Sequence, residues 1–323
     1  MRVIRNRPEW NQGAHLEQGA VVAIGNFDGL HRGHRALIEK CHEIARGKAP
    51  VAVVTFEPLP LAFFKPEKSP ARLTTVYQKL GILRSLGVDL TWMVRFNQSF
   101  SSMSAREFAQ VVLAQRLNAR TIVVGGDFRF GRGQEGDVAF LEDLGRELEF
   151  NVVTVAAVTH DGERISSSGV RERLTAGDFE GAAEWLGRPF RMEGHVVRGA
   201  ALGRKLGYPT ANLKIRSEPS PLGGVLAVYS RIGDRPWLPA VANLGRRPVV
   251  NGKTALLEVH FFDFDEDIYG QRLDVQFVAK LREETNFESL DALVGQMKLD
   301  EHEARKILAE TPVPDQAAAP IRY

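Results

Sequence analysis

The feature that most constrains how this chain can fold is a change of rhythm at Pro189. Before it, short apolar runs at residues 21–24, 51–56, 90–94, 121–124 and 152–158 alternate with segments of helical period. Their brevity and β-branched content favour strands over helices. The helical segments carry their own punctuation. Ser104 with Glu107 forms a capping box, Thr74 can cap a helix reaching Leu86 with Gly87 as its stop, and Asp178 caps a helix ending at Gly187. A further helix is expected to start near Ser168. Strands separated by helices imply right-handed crossovers and a parallel sheet covered on both faces, with ligands beyond the carboxyl ends of the strands.

After Pro189 the strands lose their intervening helices. Residues 225–232 and 237–244 flank Gly233 and Asp234 as a hairpin, and 256–264 and 273–281 continue the pattern. Such a run predicts an antiparallel barrel or sandwich. A last helix puts Leu290, Leu293, Val294, Met297, Ala304, Ile307 and Leu308 on one face. From Thr311 the chain is rich in Pro and Ala and is expected to be disordered. We therefore expect domains at 1–186 and 187–311, then a tail at 312–323.

Composition narrows the class of function. A length of 323 residues exceeds one typical core, which agrees with two domains. A formal net charge of +2 offers no broad basic field for nucleic acid. No run of about 18 apolar residues suggests a membrane span, and the N-terminus lacks a signal-peptide pattern. The single cysteine, Cys41, cannot form an intrachain disulfide, which fits a cytoplasmic compartment.

The string GNFDGLHRGH, residues 25–34, joins the first buried run to an amphipathic helix. Free backbone N–H groups and the helix dipole favour an anion at that junction. His31 and His34, three residues apart, can face the same phosphate, and Gly33 keeps bulk away from the backbone. Imidazole donors already in place stabilise the charge built on an α-phosphorus under in-line attack. No general base is required when the attacking group is an ionised phosphate. Further on, the string GAALGRKLGYPTAN, residues 199–212, lacks the Ser or Thr that follows the lysine of a Walker loop. Its glycines can serve bends and bulges alone. Alternatively, its glycines, its basic residues and the oxygens of Thr210 and Asn212 wrap a nucleotide phosphate with Mg²⁺.

These strings together resemble the prokaryotic bifunctional riboflavin kinase/FAD synthetase family. In the first half the match adds TFEP at 55–58, RLTT at 72–75, VGGDFRFG at 124–131 and RISSSGVR at 164–171. The resemblance implies a Rossmann-like α/β nucleotidyltransferase domain. There Gly25, Asn26, Phe27, Asp28, Gly33, Arg164, Ser167, Ser168 and Arg171 bind ATP, His31 and His34 are catalytic, and Phe56, Pro58, Asp127 and Phe128 meet the flavin. The second half matches the kinase signature at PTAN, then NLGRRP at 243–248 and LEVHFFDF at 257–264. This implies an antiparallel β-barrel with a C-terminal helix. In it Gly203, Lys205, Gly207, Thr210 and Asn212 hold the nucleotide, Thr210 and Asn212 hold the metal, Glu258 is the base and Arg282 meets the flavin. ATP, riboflavin and FMN are the implied substrates and Mg²⁺ the implied cofactor. Departures from the family pattern stand at Leu59, Gln134 or Glu135, Leu226, Val249, and Thr285 with Asn286. Leu226 is expected to cost the site an aromatic surface.

Overall fold

The computed structural model describes residues 1–5, 19–199, 203, 206–215, 220–249 and 252–315. The chain separates into two compact units. The first comprises Met1–Pro70 and Val76–Ser166. Its sheet contains β1 (Arg2–Arg5), β2 (Ala20–Ile24), β3 (Val51–Glu57), β4 (Leu90–Arg95), β5 (Ala119–Gly125) and β6 (Asn151–Val155). All pairs are parallel and the order is β1-β4-β3-β2-β5-β6. The helices of this unit are α1 (Arg32–Ala45), α2 (Pro60–Phe64), α3 (Val76–Ser85), α4 (Gln98–Ser101), α5 (Ala105–Glu107) and α6 (Val138–Leu148). A small hairpin, β7 (Thr159–His160) with β8 (Glu163–Arg164), completes it.

Strands β2 to β5 stand where buried apolar runs predict them. Val22, Ile24, Val54, Trp92 and Ile122 fill the core between them. The four-residue edge strand β1 was not among the expected strands, because its only buried residue is Ile4. Strand β6 stops at Val155 rather than running to residue 158, because its sole neighbour β5 ends at Gly125, opposite Val155. Ser104 caps α5 in the expected box with Glu107, and the helix continues in π geometry over Phe108–Arg116. Helix α1 buries Leu37, Ile38, Cys41 and Ala45. Burial pushes the Cys41 thiol up to about 12, so it stays protonated and packs as an apolar group.

The second unit takes Ala71–Thr75 and the chain from Ser167 onward. It begins with α7 (Ser167–Ala176) and α8 (Phe179–Leu186). The Asp178 carboxylate accepts from the Gly181 amide at 2.9 Å at the start of α8, and Gly187, at φ 67°, ends it. The barrel strands are β9 (Arg191–Val197), β10 (Ala211–Ile215), β11 (Gly224–Ile232), β12 (Leu238–Val249), β13 (Gly252–Phe261) and β14 (Arg272–Arg282). They close as β10-β13-β12-β11-β14-β9 with every pairing antiparallel, which decides between barrel and sandwich. Helix α9 (Leu290–Glu310) follows, its first turn capped by Ser289. Its Ala304 and Leu308 pack with Ala227, Tyr229, Trp237 and Phe262 against the outside of the barrel. Residues 316–323 of the expected tail lie outside the described residues.

Candidate active sites

Strand β2 lies between β3 and β5, where the chain's progress across the sheet reverses direction. Open parallel sheets bind ligands at such a switch point. The Gly25 amide still bonds to the Val54 carbonyl of β3 at 3.1 Å. One residue later, the Asn26 carbonyl accepts from Thr55 Oγ1 at 3.0 Å and Lys79 Nζ at 2.8 Å. Phe27 and Leu30 then adopt left-handed backbone at φ 48° and 47°, and both are fully buried. Asp28 is buried between them.

His31 is the N-cap of α1, its Nδ1 accepting from the His34 amide at 3.4 Å. An accepting Nδ1 carries no proton, so the imidazole proton lies on Nε2, a donor suited to a phosphate oxygen. The His31 and His34 rings stack with centroids 3.7 Å apart and an interplanar angle of 22°. Gly33 makes that stack possible. A Cβ there would come within 3.1 Å of the His31 ring.

The neighbouring strand ends carry Phe56, Pro58, Asp127 and Phe128. Phe56 lies near the end of β3 and Pro58 just beyond it, both half-buried, with Phe56 5.9 Å from both Phe96 and Phe100. Asp127 and Phe128 follow β5, and Phe128 stacks on buried Phe130 at 5.4 Å. Arg164 and Asp127 form an ion pair at 2.6 Å, largely exposed on both sides. Such a pair adds little to stability and can open to meet a charged ligand. Ser167 opens α7 in the second unit, with Ser168 beside it. Arg171 Nε donates to the Ala71 carbonyl of the same unit.

Two departures in this half acquire structural roles. Leu59 is buried and precedes α2. Glu135 accepts from the Ala105 amide at 2.7 Å, satisfying one of the open donors at the start of α5. A basic residue at that position would lose this bond.

In the barrel, register brings the second set together. Asn212 on β10 stands opposite Glu258 on β13, which stands opposite Asn243 on β12. Alternation along β13 buries Leu257, Val259 and Phe261 and turns Glu258 and His260 outward. These outward residues line a cavity of about 620 Å³ with Thr210, Asn212, Asn243 and Arg282. Its far wall comes from residues 284–290 and from α9 through Leu293, Met297 and Asp300. The volume suits a small organic ligand.

Asn212 Nδ2 donates to the Thr210 carbonyl at 3.2 Å, while its Oδ1 is buried without a hydrogen-bond partner. Asn243 Oδ1 is buried in the same condition. An unsatisfied buried acceptor is costly, and a cation or a ligand donor relieves it. Gly203 must be glycine, since a Cβ there would lie 2.2 Å from the Tyr208 carbonyl. Gly207, at φ 83°, continues the turn, and Lys205 lies outside the described residues. Burial and the neighbouring Glu301 carboxylate push the Tyr208 phenol up, keeping it a donor.

Arg282 lines the cavity but is tied down. Its Nε and Nη2 grip both Asp300 oxygens at 2.8–3.1 Å, and Gln296 Nε2 adds a 2.9 Å bond to Asp300. The Phe287 ring lies 5.5 Å from the guanidinium. Asp300 and Asn243 were not among the residues assigned from sequence. Asp300 carries a legible signal, a carboxylate between Met297 and Ala304 on the apolar face of the last helix. Leu226 corrects an expectation. It is fully buried and absent from the cavity wall, which its neighbour Val225 forms, so no aromatic surface is missing from the site. Thr285 and Asn286 do line the cavity. The side chain of Val249 lies outside the described residues.

Residues 14–169 match the family described as FAD synthetase, and residues 186–308 match the family described as riboflavin kinase. A bifunctional riboflavin kinase/FMN adenylyltransferase of Escherichia coli (strain K12) is 42% identical, over 96% of this chain and 99% of that protein. The protein of that name from Pseudomonas fluorescens is 44% identical over 90% and 94%. A crystal structure described as a macrolide-efflux protein from Streptococcus pneumoniae superposes with a TM-score of 0.78 at 30% identity, covering 94% of this chain and 99% of that one. No helix among the described residues is long and apolar enough to cross a membrane.

Proposed function

The chain belongs to the bifunctional riboflavin kinase/FMN adenylyltransferase family, and we propose that its two reactions are divided between residues 1–186 and 187–311. The enzyme phosphorylates riboflavin to FMN with ATP. It then transfers AMP from a second ATP to FMN, releasing pyrophosphate. The observation that carries the division is the pairing of Glu258 with Asn212 and Asn243 across one outward-facing cavity of the barrel. That arrangement is separate in chemistry from the stacked histidines at the start of α1.

In the kinase reaction Glu258 takes the proton from the ribityl 5′-hydroxyl as that oxygen attacks the γ-phosphorus and ADP leaves. Thr210 and the unsatisfied Asn212 Oδ1 would supply hard oxygens to a bound Mg²⁺. Bound there, Mg²⁺ would neutralise phosphate charge as the γ-phosphoryl group transfers. Gly203 and Gly207 shape the nucleotide loop, Lys205 is assigned to the nucleotide by family resemblance, and Arg282, held by Asp300, borders the flavin.

In the adenylyl transfer, a phosphate oxygen of FMN attacks the α-phosphorus of ATP and the bond to the β-phosphate breaks. His31 Nε2 and His34 donate to the oxygens gaining charge, and the backbone of 25–28 and Gly33 cradles the triphosphate. Phe56, Pro58, Asp127 and Phe128 border the flavin. Arg164, Ser167, Ser168 and Arg171 are assigned to ATP phosphates by family resemblance. We assign the enzyme to the cytoplasm, with small molecules rather than nucleic acid or membrane as partners.

Chromatography of products from riboflavin, ATP and Mg²⁺ tests the division. Glu258→Ala should abolish FMN formation while leaving FMN-to-FAD conversion. His31→Ala with His34→Ala should do the reverse. If each change cripples both reactions in a folded protein, the division is wrong.

A further inference from the structure

A buried lysine stands behind the histidine motif. Lys79 is 2% exposed, within the stretch Gln78 to Leu83 that α3 buries. Lysine is almost never buried without a demanding partner. Leu80, Ile82 and Leu83 already supply apolar packing on this helix. An apolar residue at 79 would therefore fill the space at lower cost, and what it would lack is a donor.

The donor has a specific acceptor. Lys79 Nζ bonds to the Asn26 carbonyl at 2.8 Å and to Thr55 Oγ1 at 3.3 Å. Thr55 Oγ1, itself fully buried, bonds to the same carbonyl at 3.0 Å. The two lone pairs of one carbonyl oxygen are thus matched by two side-chain donors from β3 and α3. That carbonyl belongs to the peptide joining Asn26 to Phe27, and its orientation governs where Phe27 points.

Phe27 adopts φ 48°, a left-handed conformation that a non-glycine residue keeps only when its surroundings hold it there. Its buried ring lies 5.0 Å from that of His34, which stacks on His31. The connection runs from Lys79 to the Asn26 carbonyl, to the Phe27 backbone, to the face that His34 presents.

We propose that Lys79 is a positioning residue for adenylyl transfer: with Thr55 it clamps the Asn26 carbonyl and so fixes the left-handed turn that aligns His31 and His34. This rests on the reading of the first unit given above. Misplacement of reacting groups by about 1 Å can cost about a hundredfold in rate. Loss of the clamp should therefore appear in kcat more than in substrate binding.

The test uses the full chain, measuring kcat and KM for FMN-to-FAD conversion, riboflavin phosphorylation as an internal control, and thermal unfolding. Lys79→Met keeps length and removes the donor. It should lower kcat for FAD formation at least about tenfold while KM for FMN stays within about twofold. Lys79→Arg, which restores donors, should recover part of the loss. Thr55→Val, which removes the second donor at constant volume, should give a smaller loss of the same kind, and it serves as the test if Lys79→Met does not fold. A lysine with a merely structural role would lower the unfolding temperature yet leave kcat per folded molecule unchanged. The proposal is overturned if the folded Lys79 and Thr55 variants both keep kcat within about twofold of the parent. His31→Ala, measured alongside, separates the two ideas. If it loses FAD formation while Lys79→Met and Thr55→Val do not, only the clamp is wrong. If it also retains full activity, the reading of the first site fails with it.

Discussion

Arg282 lines the barrel cavity with its freedom limited by a second residue. Its guanidinium could swing across the cavity, but the Asp300 carboxylate holds it in a bidentate grip while Asp300 is itself 6% exposed. Removing one partner of a buried, hydrogen-bonded pair leaves the other charge uncompensated. We expect Asp300→Ala to cost about 2 kcal/mol of stability, discounted because Arg282 retains some solvent contact. Riboflavin phosphorylation should weaken and FMN-to-FAD conversion should hold. Calorimetry with separate assays of the two reactions checks this, and equal damage to both would show that Asp300 serves the protein generally. The same dependence explains what could be read from residues alone. His31, His34, Thr210, Asn212 and Glu258 announce themselves through motif strings. Asn243 opens the NLGRRP string but was given no role from it, and register is what sets it beside Glu258.

At the scale of elements, caps were the most legible feature because they are local. Ser104 with Glu107 and Asp178 each bond to an amide three residues away, within reach of any sequence reading. Asp178 also provides a measurable consequence. The Gly181 amide, then Arg173, hold its carboxyl below the ordinary aspartate value of 3.8. A depressed folded-state pKa contributes stability at neutral pH that is lost as pH falls through the ordinary range and then through the folded value. Asp178→Ala should therefore destabilise by about 0.5–2 kcal/mol at pH 7. The difference from the parent should shrink as pH falls through the ordinary aspartate value of 3.8 and on through the lower folded value. Urea unfolding at several pH values measures it. A difference that persists at low pH would trace the effect to something other than the cap's charge. Strands with a weak or broken apolar pattern were least legible. β1 buries one residue, and β9 interrupts its apolar pattern with Glu193, Gly194 and His195.

Across the whole molecule, compactness and chemistry draw their lines in different places. The second compact unit begins at Ser167. Phe179 of α8 stacks on Phe277 of the barrel at 6.1 Å, and Thr175 of α7 donates to the Pro221 carbonyl at 3.1 Å. Burying a phenylalanine contributes about 1.5–3 kcal/mol. A fragment starting at residue 167 should thus melt several degrees above one starting at 187. Equal melting temperatures by circular dichroism would show that α7 and α8 add nothing to the barrel.

By itself the sequence determined the kinds of elements, their order, the helix start proposed to receive phosphate, and most of the side chains proposed to bear chemistry. Those properties depend on neighbours a few residues apart, which hydrophobic period, caps and motif strings record directly. Only the tertiary structure decided that β2 lies between β3 and β5, that six strands close into a barrel, and that Glu258 faces outward across a cavity from α9. It alone placed Lys79 behind the Asn26 carbonyl, 53 residues away in the chain. Strand order, register and the partners of buried polar groups are set by hydrogen bonds and packing between distant segments, and no local pattern carries them.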